Sequence, residues 1–366
     1  MDQAINDSGL ADLYDKVKNR QRLSFEDGVR LYRSNSLLVL GSMANMVRER
    51  KNGNKAYYIY NQHINYSNIC TNLCRFCAFG KDREDPAAYE MAIEEITEKV
   101  RERIDEPILE VHIVGGLNPD LSYNYYIEML REIKKVRPSI HIQAFTVVEI
   151  DHLARIAKKS IETVLENLKE AGLGSIPGGG AEIFSARIRK KLCPKKLSPE
   201  GWLNIAKICH KAGLRSNATM LYGHIETYEE RVDHLMALRD AQDETGGFLT
   251  FIPLAFHAEN TGLGSLLPTT GFEDLKNIAV ARLMLDNFDH IKAYWVMIGP
   301  QLAQIALSFG ADDIDGTVIE EKITHMAGGE TSQALTRKEL RQFIREAGRE
   351  PVERDTLYNE IALEAE

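Results

Sequence analysis

Residues 56–80 read AYYIYNQHINYSNICTNLCRFCAFG. The first ten, 56–65, mix aromatic and branched side chains with amides and a histidine, as a β-strand with one apolar and one polar face does. Cys70, Cys74 and Cys77 come directly after it, three of the chain's five cysteines, with gaps of three and two residues. Seven more β-rich runs follow: 108–116, 140–146, 173–179, 215–223, 248–256, 290–299 and 312–318. Helical patterns lie between them at 122–136, 198–212, 227–244 and 272–288. Gly or Pro closes several of the runs and marks the turn into the next element.

Strand–helix alternation at this spacing predicts parallel βαβ units, and eight strands predict an α/β fold, a (βα)8 TIM-type barrel. The run LGSIPGG (173–179) is a weak strand, so an incomplete barrel stays open. Residues 1–50 read as an N-terminal helical extension, and 51–366 as the barrel domain with a C-terminal helical tail. The cysteines then sit at the C-terminal end of the first strand, the face on which such barrels carry their active sites.

With the more apolar parity of each strand packed outward, the other parity faces the lumen. It comprises Asn61, His63 and Asn65, Glu110 and His112, His141 and Gln143, Asn217 and Thr219, and Lys292 and Tyr294. Ordinary barrels fill this space with branched aliphatic layers. A polar set suits a cavity for a polar ligand, although such groups also pair with one another in a core.

Composition sets limits. At 366 residues, 44% hydrophobic and 27% charged, the chain can bury a large core, and its net charge of −9 argues against coating nucleic acid or an acidic membrane. MDQAINDSGLADLYDKV shows no basic segment followed by an apolar one, and SLLVLGSMANMV is too short and interrupted to span a bilayer. A cytoplasmic protein is expected, where clustered thiols bind metal or do chemistry more often than they form disulfides.

Structural zinc closes with four ligands. Here the three thiols leave the fourth position to His63, to Cys193, or to no protein group. A 4Fe–4S cube takes one thiolate per iron, so three would leave one iron open for a small molecule. The spacing C-x3-C-x2-C with an aromatic before the last cysteine, here CTNLCRFC, resembles the signature of the radical S-adenosylmethionine (radical SAM) superfamily. HINYSNICTNLCRFCAFGKDREDPAAYEM, VGGLNPDLSYNYY, PGGGAEIF, TFIPLAFHAENTGL and IKAYWVMIGPQLAQIALSFGADDIDGTV extend the likeness to the menaquinone (futalosine) branch. That branch holds the aminofutalosine synthases and the dehypoxanthine futalosine cyclases. FIPLAFHAENT and GADDIDGTVIEEKITHMAG resemble the synthases more.

The resemblance implies that Cys70, Cys74 and Cys77 hold a 4Fe–4S cluster whose open iron chelates SAM. It implies a transferase that adds the 5′-deoxyadenosyl radical to 3-[(1-carboxyvinyl)oxy]benzoate, moves the aryl group, loses the carboxylate and forms 6-amino-6-deoxyfutalosine. A one-electron reductant such as flavodoxin or ferredoxin is implied as partner. Gly115 and Gly116 would let the backbone approach the SAM methionine, while Phe76, Ala78 and Phe79 would lie along the adenine. Glu149 and Glu182, at the ends of β-runs, suit SAM ribose or ammonium, or else merely start helices. PGGG lacks the Gly-Lys-Ser/Thr of a phosphate loop. For the substrate carboxylates, His257, Asn260, Arg215 and Lys292 are the candidates. Cys193 and Cys209 read as ordinary buried residues.

Overall fold

The computed structural model describes residues 2–362. Eight parallel strands form the barrel. β1 runs in two pieces, Lys55–Ile59 and Asn61–Ile64. It is followed by β2 Glu110–Ile113, β3 His141–Ala144 and β4 Leu173–Ser175. Then come β5 Ser216–Tyr222, β6 Phe248–Ala255, β7 His290–Ile291 and β8 Asp313–Gly316. The ladders β1–β2–β3–β4 and β5–β6–β7 are each continuous, and β8 pairs with the lower half of β1. Isolated parallel bridges, Ile176↔Ser216 and Lys292↔Asp313, join β4 to β5 and β7 to β8. The ring closes, with two narrow seams.

The expected helices begin where their caps dictate. Ser122, Ser198, Thr227 and Thr270 each accept a backbone N–H from the first turn, opening Tyr123–Val136, Pro199–Lys211, Tyr228–Thr245 and Gly271–Met284. Four helices precede the barrel, Asp2–Asp7, Ala11–Lys18, Phe25–Arg33 and Leu37–Asn52, and the last packs along Gly271–Met284. The outward parity of the strands, with Ile64, Val111, Ile113, Ile142, Ala144, Ala218 and Met220, is buried beneath the helices. The hydrophobic effect thus fixes which face of every strand is left for the lumen.

Two segments differ from expectation. The run 290–299 is a strand only at His290–Ile291, and Trp295–Ile298 forms a helical turn. Its apolar character reflects burial rather than strand pairing: Trp295 is enclosed and its indole Nε1 donates to the Gly316 carbonyl at 2.8 Å. The C-terminal tail carries the helix Arg337–Glu346 and also a strand, β9 Glu350–Glu353. Because β2 begins opposite Asn61, the lower half of β1 has a free edge on that side, and β9 fills it in register Lys55↔Glu350 to Tyr58↔Glu353. The tail then closes the barrel bottom, where Arg354 Nε donates to Asp313 Oδ2 at 2.6 Å and Tyr358 adds a second donor at 2.8 Å.

Candidate active site

The cysteine loop is pinned from several sides. Cys70 N donates to the Lys81 carbonyl (3.0 Å), Thr71 N to Leu117 O (3.1 Å) and Arg75 N to Leu192 O (2.9 Å). Gly116 N reaches the Ser67 carbonyl at 2.7 Å, which draws the turn after β2 against the loop. Neither Gly115 nor Gly116 has a positive φ, so close approach and not turn geometry requires glycine there. A Cβ on Gly116 would lie 2.2 Å from the Ile69 carbonyl oxygen and 3.0 Å from Cys70 Cβ, and on Gly115 it would strike the Tyr66 ring at 2.5 Å. Backbone cannot give way as a side chain does.

Cys70, Cys74 and Cys77 all line one cavity of about 330 Å3, together with Phe76, Ala78, Phe79, Gly115, Gly116, Glu149 and Glu182. Cys193 and Cys209 are buried and do not line it. Cys193 is nonetheless beside the loop: its thiol adjoins that of Cys74 and, with burial, pushes the Cys74 thiol above its ordinary pKa. Glu149 is 3% exposed. Its Oε1 accepts from Gly115 N (3.1 Å) and the Tyr66 hydroxyl (2.9 Å), and its Oε2 caps the helix Val147–Ala157 through Thr146 N (2.7 Å). Burial raises its pKa. Glu182, in the left-handed region at φ 51°, forms an ion pair with Lys196, which lies 5.2 Å above the Phe76 ring. Burial opposes the charge on Lys196, but Glu182 and the neighbouring thiols outweigh it and hold the lysine protonated.

The floor is polar, as the strand parity predicts. Asn61, His63, Glu110, His112, Gln143, Asn217, Thr219, Lys292 and Tyr294 all line the cavity. Asn65 and His141 do not; they are engaged with Val114 O and Ser175 Oγ instead. His112 and Asn217 meet at Gln143 Oε1, at 3.0 and 3.4 Å, and Lys292 Nζ pairs with Asp315 at 3.1 Å. His63 stacks on His112 with ring centroids 4.5 Å apart, and its Nε2 has no partner among the described residues. Burial, then the neighbouring His112 and Lys292, keeps His63 neutral.

The substrate candidates divide. His257 and Lys292 face the cavity, and His257 Nε2 donates to the Met297 carbonyl at 2.9 Å, which turns Nδ1 away from that bond. Arg215 is exposed just before β5, at the opposite end of the barrel, and Asn260 is exposed with its amide on Met326 O at 3.2 Å. Neither lines the cavity: for Arg215 the start of the strand, not its end, sets the position, and Asn260 points outward from a left-handed loop residue.

A model of the radical SAM superfamily matches residues 64–238, and one of the CofH/MqnC C-terminal region matches 245–365. The chain is 47% identical over 365 residues to the aminodeoxyfutalosine synthase of Thermus thermophilus, covering 99% of this chain and 98% of that one. The chain belongs to the radical SAM superfamily. It is also 42% identical over 316 residues to a 5-amino-6-(D-ribitylamino)uracil–L-tyrosine 4-hydroxyphenyl transferase of Methanopyrus kandleri, covering 85% and 86% of the two chains. To the cyclic dehypoxanthine futalosine synthase of Halalkalibacterium halodurans it is 38% identical over 350 residues, covering 95% and 94%. The fold resembles that of methylornithine synthase, with a TM-score of 0.74 at 20% identity over 93% of this chain and 97% of that one.

As a radical SAM enzyme it uses a 4Fe–4S cluster and SAM, and the donor set fits. Among the described residues no three or more His, Cys, Asp or Glu are placed to hold a single metal ion. Yet three free thiols share one cavity wall. Three thiolates can serve three irons of a cube, so this donor set suits the cluster. No helix among the described residues is long and apolar enough to cross a membrane.

Lys196, Asp315 and Glu321 also line the cavity and were not singled out from the sequence. Lys196 stands in CPKKLSPE, which looks like a solvated basic run; nothing local marks the one lysine that turns inward. Glu321 belongs to a segment whose Ile323, Thr324 and Ala327 also line the cavity. There His325 Nδ1 faces Glu321 O (2.8 Å) and Oε2 (3.2 Å) while Nε2 faces Thr331 O (3.0 Å). Both nitrogens meet only acceptors, so the imidazolium is favoured, and the bond to Glu321 raises its pKa to about 9. A raised pKa stabilises below the unfolded value of 6.5 and loses that stabilisation as pH rises through 9. Over that window native stability is expected to fall with rising pH as this group loses its proton, by less than the full linkage slope of about 1.4 kcal/mol per pH unit because solvent screens the partly exposed ring. Melting curves of wild type and His325→Gln across the window check this; parallel curves would remove His325 from the account.

Proposed function

We propose that the enzyme is an aminodeoxyfutalosine synthase of the menaquinone pathway, acting in the cytoplasm on 3-[(1-carboxyvinyl)oxy]benzoate. The observation carrying this reading is that the three-thiol wall and a polar, lysine-bearing floor belong to one cavity. The likeness to the Thermus synthase over nearly the full length of both chains supports it. In this reading residues 1–50 are an extension and 51–366 the working domain.

When bound, the cluster supplies the electron that releases the 5′-deoxyadenosyl radical from SAM. The chain's own groups position the reactants. Glu149 fixes the Gly115 turn, and the backbone at Gly115 and Gly116, which lines the cavity, would border the methionine end of SAM. Phe76, Ala78 and Phe79 offer an apolar shelf to the adenine, and Glu182, already paired to Lys196, offers a carboxylate to the ribose or ammonium. At the floor, Lys292 shares its charge between Asp315 and an incoming substrate carboxylate. His257 presents Nδ1 to the other carboxylate and acts as a donor when that nitrogen is protonated. Enclosure by the barrel keeps water from the reacting carbon, and two anchored carboxylates hold the alkene near it.

The test is to incubate reduced enzyme with SAM and the carboxyvinyloxy-benzoate and to identify the nucleoside product by mass spectrometry. The adduct 6-amino-6-deoxyfutalosine supports the synthase; with dehypoxanthine futalosine as substrate, cyclised product and free 5′-deoxyadenosine would support the cyclase instead. A positioned donor to a charged partner is worth about 1.5–3 kcal/mol, so His257→Ala is expected to lose roughly one to two decades in kcat/KM. It keeps its iron and still cleaves SAM, but its ratio of adduct to 5′-deoxyadenosine falls. An unchanged ratio and KM would make His257 structural and leave Lys292 as the anchor.

A further inference from the structure

We propose that the outer face of the cysteine loop and the adjoining end of the helix Ala186–Leu192 form the docking surface for a small acidic one-electron carrier protein. The inference rests on the radical SAM reading, because it concerns the electron that reading requires: one electron leaves the reduced carrier, which is oxidised, and reduces the cluster by one.

Between Phe184 and Pro199 the sequence has six cations and no acid, and the loop 67–81 adds Arg75 and Lys81, again with no acid, in a chain of net charge −9. The fold sorts these cations. Arg187 pairs with Glu230, Arg189 is buried on backbone carbonyls, and Lys196 turns into the cavity. Arg75, Lys190, Lys191 and Lys195 are exposed, and none of them has a carboxylate within ion-pair distance among the described residues. The two segments form one surface: Arg75 N bonds Leu192 O at 2.9 Å and Lys195 Nζ bonds Thr71 O at 3.1 Å. Within this cationic rim stands Leu73, between Cys70 and Cys74, 43% exposed and held at a left-handed φ of 41°. Leu73 also lines the cavity, so this residue borders both the thiol-bearing cavity and solvent.

An apolar centre inside a charged rim is how transient interfaces are built, with the rim setting the encounter rate. An acidic partner is repelled by the net charge of the chain elsewhere and attracted here. Closeness to the thiols is what an electron donor needs, and it is of no use to a structural partner.

The experiment uses cluster-loaded enzyme and a flavodoxin reduced to its hydroquinone. Lys190→Glu/Lys191→Glu is compared with Lys158→Glu/Lys159→Glu, which makes the same charge change on exposed residues outside the cationic rim. Stopped-flow oxidation of the flavodoxin, at low and high salt, is expected to slow roughly tenfold or more in the first variant at low salt and to lose its salt dependence. The control variant keeps the wild-type rate, and both keep wild-type iron and dithionite-driven SAM cleavage. A wild-type rate and salt slope in Lys190→Glu/Lys191→Glu overturns the proposal, as does equal slowing in both variants. So does tight, salt-sensitive binding of an oligonucleotide with none of flavodoxin. If loaded wild-type enzyme fails to cleave SAM with dithionite, the radical reading fails. Flavodoxin affinity, measured calorimetrically on the same two variants, then still decides the docking surface.

Discussion

Replacing Cys70, Cys74 or Cys77 singly with alanine is expected to abolish product formation and to leave far fewer than the about four irons per chain of a loaded cube. All three thiols face the same cavity, and a methyl group can neither give up a proton nor ligate iron. Cys193→Ala and Cys209→Ala are the contrasting cases. Cys209 is buried in the hydrophobic core, and Cys193 adjoins the Cys74 thiol from outside the cavity. Both are expected to keep wild-type iron and SAM cleavage after anaerobic reconstitution, measured by iron quantification and detection of 5′-deoxyadenosine. Loss of iron in Cys193→Ala would establish a fourth protein ligand and remove the open iron on which SAM binding depends.

Arg282→Met is expected to destabilise the fold by about 3 kcal/mol, the lower end for breaking a buried pair, because it strips the guanidinium from Asp312 and leaves His290 Nδ1, at 2.6 Å, as its remaining side-chain partner. Arg282 and Asp312 are both fully enclosed. The guanidinium also donates to the Gly310 carbonyl at 2.8 Å and the Asp289 carbonyl at 3.0 Å, and Asp312 accepts from Ile291 N at 2.8 Å. This cluster fastens the narrow seam between β7 and β8. A loss of that size is a large share of the 5–15 kcal/mol that holds a typical domain together. Urea unfolding followed by circular dichroism measures it, with Arg282→Lys keeping the charge but not the planar fork. A midpoint equal to wild type in Arg282→Met would show that the seam does not depend on the pair.

Much of the barrel was legible because its signals are local. Val111 and Ile113 alternate with Glu110 and His112, and that period of two states both that a strand exists and which residues face inward. The caps Ser122, Ser198, Thr227 and Thr270 fix helix starts within one residue. β9 was not legible, since EPVE has no strand pattern of its own; it forms because β1 presents an unpaired edge to it, and that edge exists only once β2 is placed. Of the substrate candidates, His257 and Lys292 line the cavity, whereas Arg215 and Asn260 carry suitable chemistry at places that do not reach it.

The sequence by itself determined the three-thiol loop, its place after the first strand and the polar parity of the lumen, because spacing and periodicity are properties of neighbouring residues. Only the tertiary structure decided that Lys196, and not Lys190, Lys191 or Lys195, turns inward beside Glu182. It alone set Asp315 against Lys292 and Cys193 against Cys74. These pairings join residues from separate segments, and the barrel's closure, not any local preference, brings them within reach of one another.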